Sequence, residues 1–404
     1  MHLLLAAAST ATGGDPLFAK GIGFAVFLIV AVKVAVTFVV LLVATMLMVW
    51  FERKVISDMQ NRVGPDRAGR WGILQSLADG TKLFFKEDLL PERADRRLFR
   101  LAPYLSMVPA FLSFAIVPVG GIVSVFGHHT RLQLADPPVG ILWLLAMSSI
   151  AVYGVMLAGW SSGSKYPLLG AVRASAQMIS YEATLGISVV AVVLVTGSLA
   201  TSAIVAQQSS LATINLIRLG VVPFVLFWIA ATAELNRPPF DLVEAEQELV
   251  GGFNTEYSSV RFALFYLAEF MNTITMSAII VTLFLGGPNG PHFGLAPTSF
   301  LAAWLLPVVY FVAKVMVFLF CYVWFRATLP RFRYDQLMDL GWKVLIPLSL
   351  GWLLVIASIL AANTTAEKIR NLAIAFVALI VAGAMLLRSL QLGKATVSEE
   401  DLHS

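Results

Sequence analysis

Residues 21–50 read GIGFAVFLIVAVKVAVTFVVLLVATMLMVW, a run whose only charged side chain is Lys33. About 20 apolar residues in a helix cross the roughly 30 Å hydrocarbon core of a bilayer, and this run is longer than that. Further stretches of the same kind lie at 101–125, 140–160, 175–198, 214–233, 259–285, 300–325, 343–362 and 369–388. Lipid offers no partners to backbone N–H and C=O groups, so spans of this length are expected to be helices. The alternating ten-residue pattern of a β-barrel strand is absent. The expected fold is therefore all-α: a polytopic membrane helix bundle with amphipathic helices beside it.

Composition supports a membrane protein and narrows its chemistry. Of the 404 residues 58% are hydrophobic and only 13% charged, with a mean hydropathy of +0.83. Soluble domains average about 45–50% apolar and about 25% charged. The net charge of +4 comes from bases scattered between spans, not from a basic domain, so nucleic acid is not an expected partner. The single cysteine, Cys321, excludes disulfides and multi-cysteine iron–sulfur sites within the chain. His2, His128, His129, His292 and His403 all lie in connections or tails, which argues against a haem held between spans. His128–His129 reads as a solvated pair more readily than as a metal site, and no metal is expected. There is no GxGxxG after a strand and no P-loop. The N-terminus MHLLLAAASTATGGDPLF lacks a basic n-region and does not read as a cleaved signal peptide.

The bases orient the chain. Connections 51–100, 161–174, 234–261 and 326–343 and the tail from Arg388 carry most of the lysines and arginines, from Arg53 through Lys394. The opposite connections are nearly devoid of them: 126–139 holds only Arg131, and 199–213 and 286–299 hold none. The positive-inside rule puts the rich side in the cytoplasm and the N-terminus outside. With nine spans the C-terminus is then cytoplasmic.

Two cytoplasmic segments carry pattern. In Gly72–Lys86, Ile73, Leu74, Leu77, Ala78, Thr81, Phe84 and Phe85 fall within about 140° of a helical arc, so an amphipathic helix is expected at the membrane interface or against a partner. The second segment, AELNRPPFDLVEAEQELVGGFNTEY at 233–257, gathers Glu234, Asp241, Glu244, Glu246, Glu248 and Glu256 around one base, Arg237. Pro238 and Pro239 end the preceding span and allow a new helix to begin, with Asp241 as its N-terminal cap or first-turn acid. Helical spacing sets Asp241, Glu244 and Glu248 on one side, with Glu246 on another face. Carboxylates that close together favour shared protons; a solvated acidic helix is the alternative. Gly251 and Gly252 permit a bend before the next span.

Charges also occur within spans: Glu182, Glu269, Lys33 and Lys314, with Glu234 at a span end. A charge at mid-bilayer costs roughly 2.5–3.5 kcal/mol on insertion scales, so each is a functional-site candidate. Any one alone reads equally well as a static ion pair or a lining of a wet cleft. Together with the acidic stretch they point to a proton path.

Several motifs in order carry a resemblance to a known family. FERKV…MQNRVGP…GILQSLADGTKLFFKED, RASAQMISYEATL at 173–185, AELNRPPFDLVEAEQELVGGFNTEYSS and RATLPRFRYDQLM at 326–338 resemble the family of quinone-chamber membrane subunits, designated H, of respiratory NADH-quinone oxidoreductase (complex I). The resemblance runs over roughly residues 15–362. Asp66 and Arg70 depart from the family's more usual Asn and Pro, and residues 363–404 extend beyond its usual eight spans with a ninth and a polar tail. The resemblance implies a bacterial plasma-membrane subunit that docks the hydrophilic arm, lines a cavity for quinone (ubiquinone or menaquinone) and adjoins antiporter-like membrane subunits. It implies no redox cofactor in this chain, with FMN and iron–sulfur clusters in the partner subunits. Carried over residue by residue, it makes Glu182, Glu234, Asp241, Glu244, Glu246, Glu248, Glu256 and Glu269 proton-path acids. It likewise makes Arg53, Arg62, Asp79, Gly80, Phe262 and Tyr266 quinone-cavity positions, although Arg53 and Arg62 also suit lipid phosphate. The alternatives are the membrane subunit of an energy-converting hydrogenase, a stand-alone ion-coupled transporter using Glu182, Glu269 and Lys314, and a passive anchor.

Overall fold

The computed structural model describes residues 15–21, 23–125, 127–242, 251–291 and 304–362, with isolated positions 367, 370, 373 and 374. The helices are α1 (Phe24–Met59), α2 (Gln75–Phe85), α3 (Arg96–Phe114), α4 (Gly140–Ser161), α5 (Lys165–Thr196), α6 (Thr201–Gln207), α7 (Val221–Glu234), α8 (Ser259–Phe284), α9 (Leu306–Thr328), α10 (Tyr334–Asp339) and α11 (Ile346–Ala361). Among the described residues six helical stretches are long and apolar enough to cross a membrane: α1, α4, α5, α8, α9 and the run Tyr334–Ala361. In that last run a π-helical segment, Leu340–Leu345, joins α10 to α11.

Two expected spans come out differently. The stretch 101–125 is not one helix: α3 starts earlier, at Arg96, where Asp95 caps the Arg97 and Leu98 amides, and stops at Phe114. Beyond it Pro118, Gly120 and Gly121 break the helical path, and Ile122–Val125 (β1) pairs antiparallel with His128–Arg131 (β2). Among the described residues the fold is thus all-helical apart from one short hairpin. The stretch 214–233 also divides, because Gly220 takes φ +78° between a one-turn helix at Asn215–Arg218 and α7. The expected ninth span, 369–388, lies outside the described residues apart from positions 370, 373 and 374.

α8 is the hub of the bundle, packing against α1, α2, α3, α7 and α9. In its most apolar window 83% of the residues are buried, against 17% for α1, which lies at the rim. Lipid tails are as apolar as Leu, so tight packing in a membrane comes from close backbone approach over small residues. Gly154 on α4 shows this: a Cβ there would stand 2.7 Å from the Ser106 amide nitrogen and 3.0 Å from the Ala102 carbonyl oxygen of α3. Gly170 on α5 likewise meets the Cα of Gly252.

The two lysines inside spans have structural partners. Lys33 of α1 lies 2.8 Å from Asp15 and donates to Thr130 on β2, so the N-terminal segment, α1 and the hairpin are tied together. Lys314 of α9 donates to the carbonyls of Leu285, Gly287 and Asn289, just past the C-terminus of α8, where the helix dipole is negative.

Gly154→Val tests the α3–α4 contact. The added side chain has no room, and overpacking costs typically about 1–3 kcal/mol. The expected result is a lower thermal midpoint for the assembled, detergent-solubilised protein, with Gly80→Ala as a control at a position where a Cβ meets nothing within 4 Å.

Candidate functional site

The buried face of α1 carries Leu41, Thr45, Met48 and, one turn further on, Glu52. This i, i+4, i+7, i+11 spacing is one helix face, so Glu52 points into the bundle and not to solvent. There its Oε2 accepts from Arg237 at 2.8 Å, and its Oε1 pairs with Arg326 of α9. Arg237 Nε lies 3.2 Å from Oε1 of Glu269 on α8, and its guanidinium sits 4.6 Å above the Phe270 ring. Two carboxylates and two guanidinium groups therefore join α1, α8, α9 and the loop after α7. Burial alone would lower the Arg237 guanidinium, but Glu52 and Glu269 beside it raise it overall, so it stays charged.

Arg237 is held in place by its loop. Gln177 of α5 donates to the carbonyls of Ala233 (2.7 Å) and Phe240 (2.9 Å) and to Asn236 (3.1 Å), bridging the turn across the cis Pro238–Pro239 bond. The two prolines end the helix as expected, after Glu234. Asp241 is buried and lies 2.9 Å from Arg331 NH2, an ion pair the sequence pattern does not suggest. Of the acidic face expected from helical spacing, Glu244 and Glu248 lie outside the described residues, as does Glu246 on the other face. Glu256 is half-buried in the segment leading to α8, next to Tyr257, whose hydroxyl burial pushes up to about 12.

The quinone-cavity candidates mostly converge at the α2 end of the bundle. Arg53, one residue past Glu52, pairs with Asp79 of α2, which also accepts from Gln75 at 3.1 Å. Tyr266 of α8 faces Glu52 and Glu269 together with Arg53 and Arg237, so it stands between this pair and the buried quartet. Phe262, one turn earlier, stacks on Tyr266 with ring centroids 6.3 Å apart. Gly80 on α2 leaves open space where a Cβ would be. Arg62 does not join them; it is exposed and donates to Gln60. The amphipathic helix expected over Gly72–Lys86 forms as α2, and within the chain its apolar face is uncovered: Phe84 is 73% and Phe85 88% exposed.

The remaining acids form a second centre deeper in the bundle. Ser148 and Ser149, neighbours on α4, donate to Glu234 and Glu182 respectively. Oε2 of Glu234 is buried with no hydrogen-bond partner among the described residues. It adjoins a cavity of about 20 Å³ lined by Ser113, Ser148, Asn272 and Thr275 among others. That is room for roughly one water, at a polar site that can hold it.

Sequence pattern alone does not single out Glu52 or the serines on α4 as site residues. Glu52 is legible in principle from the 41/45/48/52 stripe, where a carboxylate continues an apolar face. Ser148 and Ser149 carry no such signal, because hydroxyls in spans usually bond their own helix.

A family model described as NADH dehydrogenase matches residues 32–357. The chain is similar to the NADH-quinone oxidoreductase subunit designated H from Frankia alni, 54% identical over 340 residues that cover 84% of this chain and 74% of that protein. It is also 54% identical to the corresponding subunit of Frankia casuarinae over 333 residues (82% and 73%), and 47% identical to that of Streptomyces avermitilis over 366 residues (89% and 78%).

Removing one partner of a buried ion pair typically costs about 3–5 kcal/mol, because the other charge is left uncompensated. Arg237→Met is therefore expected to lower the thermal midpoint sharply. Arg237→Met combined with Glu269→Gln should recover part of the loss; a neutral single variant would show the quartet to be dispensable.

Proposed function

Because the chain belongs to the family of NADH-quinone oxidoreductase membrane subunits designated H, we propose that it lines the quinone cavity of that complex and couples quinone reduction to proton translocation through its buried carboxylates. As a subunit of this oxidoreductase it is a multi-pass membrane protein that works with the other subunits of the complex. The observation that carries the finer reading is continuity. Arg53 and Asp79, at cavity positions, reach through Tyr266 to the Glu52–Arg237–Glu269 group, and Arg237 lies three residues from Glu234, which shares the α4 serine pair with Glu182.

The division of labour follows from the chemistry. The chain's one cysteine and peripheral histidines supply no set of ligands for a cluster or a haem, so electrons reach quinone from clusters in partner subunits of the hydrophilic arm. Arg53 and Tyr266 offer donors to the quinone carbonyls, while Phe262 and the apolar side of α2 suit the ring and isoprenoid tail. Reduction of quinone consumes protons and changes the field at Asp79 and the quartet. Glu269, Glu234 and Glu182, with Asp241 and the stretch Glu244–Glu256, pass that change into the membrane toward antiporter-like subunits. The side bearing α2 faces the cytoplasm and the N-terminus is outside. Residues 1–362 are the family core, and 363–404 add a ninth span and a cytoplasmic tail.

Glu234→Gln keeps the shape of the side chain and its Ser148 contact but cannot carry a proton. In the assembled complex, the rate of NADH-driven proton translocation is expected to fall by about 10²-fold or more, the scale on which positioned proton-transfer groups act, while subunit content is unchanged. Unaltered translocation would remove Glu234 from the path. Gentle solubilisation should bring NADH dehydrogenase subunits down with this chain; recovery of an active monomeric transporter would overturn the reading.

A further inference from the structure

Hydroxyls inside the helices mostly turn back on their own backbone. Thr45, Ser113, Thr196, Thr275 and Thr282 each donate to the carbonyl four residues earlier, at 2.8 or 2.9 Å. That bond satisfies the hydroxyl within its own helix and needs no partner elsewhere. Ser148 and Ser149 of α4 depart from this habit. Ser148 donates to Oε1 of Glu234 on α7, and Ser149 donates to Oε1 of Glu182 on α5.

The arrangement follows from helix geometry. With 3.6 residues per turn, consecutive side chains project about 100° apart, so one step along α4 serves two directions. α5 packs against both α4 and α7, which brings an acid from each to the same level of α4. Glu182 and Glu234 are within electrostatic reach of each other there. Ser149 Oγ has a second acceptor, the Leu145 carbonyl at 3.0 Å. A hydroxyl carries one proton and two lone pairs, so Ser149 can give its proton to Glu182 or to Leu145, but not in full to both. Ser148 stands with Glu234 on the wall of the 20 Å³ cavity, which has room for a water as its alternative partner.

We propose that Ser148 and Ser149 are positioning residues for proton transfer, holding Glu234 and Glu182 as one pair and giving each a partner for both of its states. A proton-path acid is alternately ionised and protonated. The ionised Glu182 accepts from Ser149; the protonated one donates to Ser149 Oγ, whose own proton then turns to Leu145. Ser148 does the same for Glu234 with the cavity water. Each exchange is a rotation about one side-chain bond, and the serines gain and lose no proton on balance. Alanine can serve neither state, whereas threonine can serve both. This inference rests on the proton-path reading above and adds to it two residues that the carboxylates depend on.

The test uses the whole complex in proteoliposomes, with NADH-driven proton translocation counted per assembled complex. Ser148→Ala and Ser149→Ala are each expected to slow translocation about tenfold or more, the scale of one hydrogen bond to a charged group. Ser148→Thr and Ser149→Thr should keep most of the rate. Adding Ser149→Ala to Glu182→Gln should cost little beyond Glu182→Gln alone, because residues in one hydrogen-bonded unit are not additive. Redox-induced infrared difference spectra give a readout that packing does not move. Ser149→Ala should shift the carboxyl band that Glu182→Gln removes, and Ser149→Thr should restore its position. Wild-type translocation in both alanine variants, with Glu182→Gln and Glu234→Gln impaired, would overturn the positioning role and leave the proton path standing. Carboxyl bands unmoved in the alanine variants would overturn it as well. Wild-type translocation in both glutamine variants would remove the path itself, and this inference with it.

Discussion

Charge buried in an apolar bundle has to be matched side chain by side chain, and the match made by Arg237 organises this protein. It brings Glu52 and Glu269 to one guanidinium, and Glu52 recruits Arg326 in turn. Elements far apart in sequence are thereby fixed at one point: the end of α1, the middle of α8, the end of α9 and the loop after α7. Such a group contributes little net stability over apolar residues of the same size. What it does in the folded bundle is join four elements at one point, with hydrophobic surfaces packed around it.

The same matching explains why the acids fall into two environments. Glu269 has a cation beside it, whereas Glu234 of α7 and Glu182 of α5 meet neighbouring serine hydroxyls on α4. The first environment fixes its carboxylate by charge; the second holds its carboxylates by hydroxyls, beside a cavity the size of a water. In the proposed coupling, the arginine-paired centre adjoins the cavity positions and the serine-held centre lies beyond it.

Much of this was legible in the sequence, for identifiable reasons. Apolar run length located the six long apolar helices among the described residues, since crossing a bilayer needs a minimum length. The 140° apolar arc of Gly72–Lys86 located α2, and Pro238–Pro239 located the end of α7. What escaped depended on three-dimensional closeness or on local breakers. The run 101–125 is uniformly apolar, but Pro118, Gly120 and Gly121 turn its second half into a hairpin. Gly220 divides 214–233 in the same way. The pairing of Asp241 with Arg331 joins residues ninety positions apart, and no periodicity reports it. The partners of Lys33 and Lys314, a carboxylate and hydroxyl for one and carbonyls at a helix end for the other, likewise come from distant positions that no periodicity reports.

Those carbonyls bear on how the chain is made. An ammonium group cannot stay in lipid unaccompanied, and the acceptors of Lys314 come from Leu285, Gly287 and Asn289, all earlier in the chain. When α9 leaves the ribosome, the receptacle for its lysine has already been synthesised. In the folded bundle the ammonium of α9 is thus matched by the chain end of α8, so the two helices share one polar clasp of three oxygen atoms.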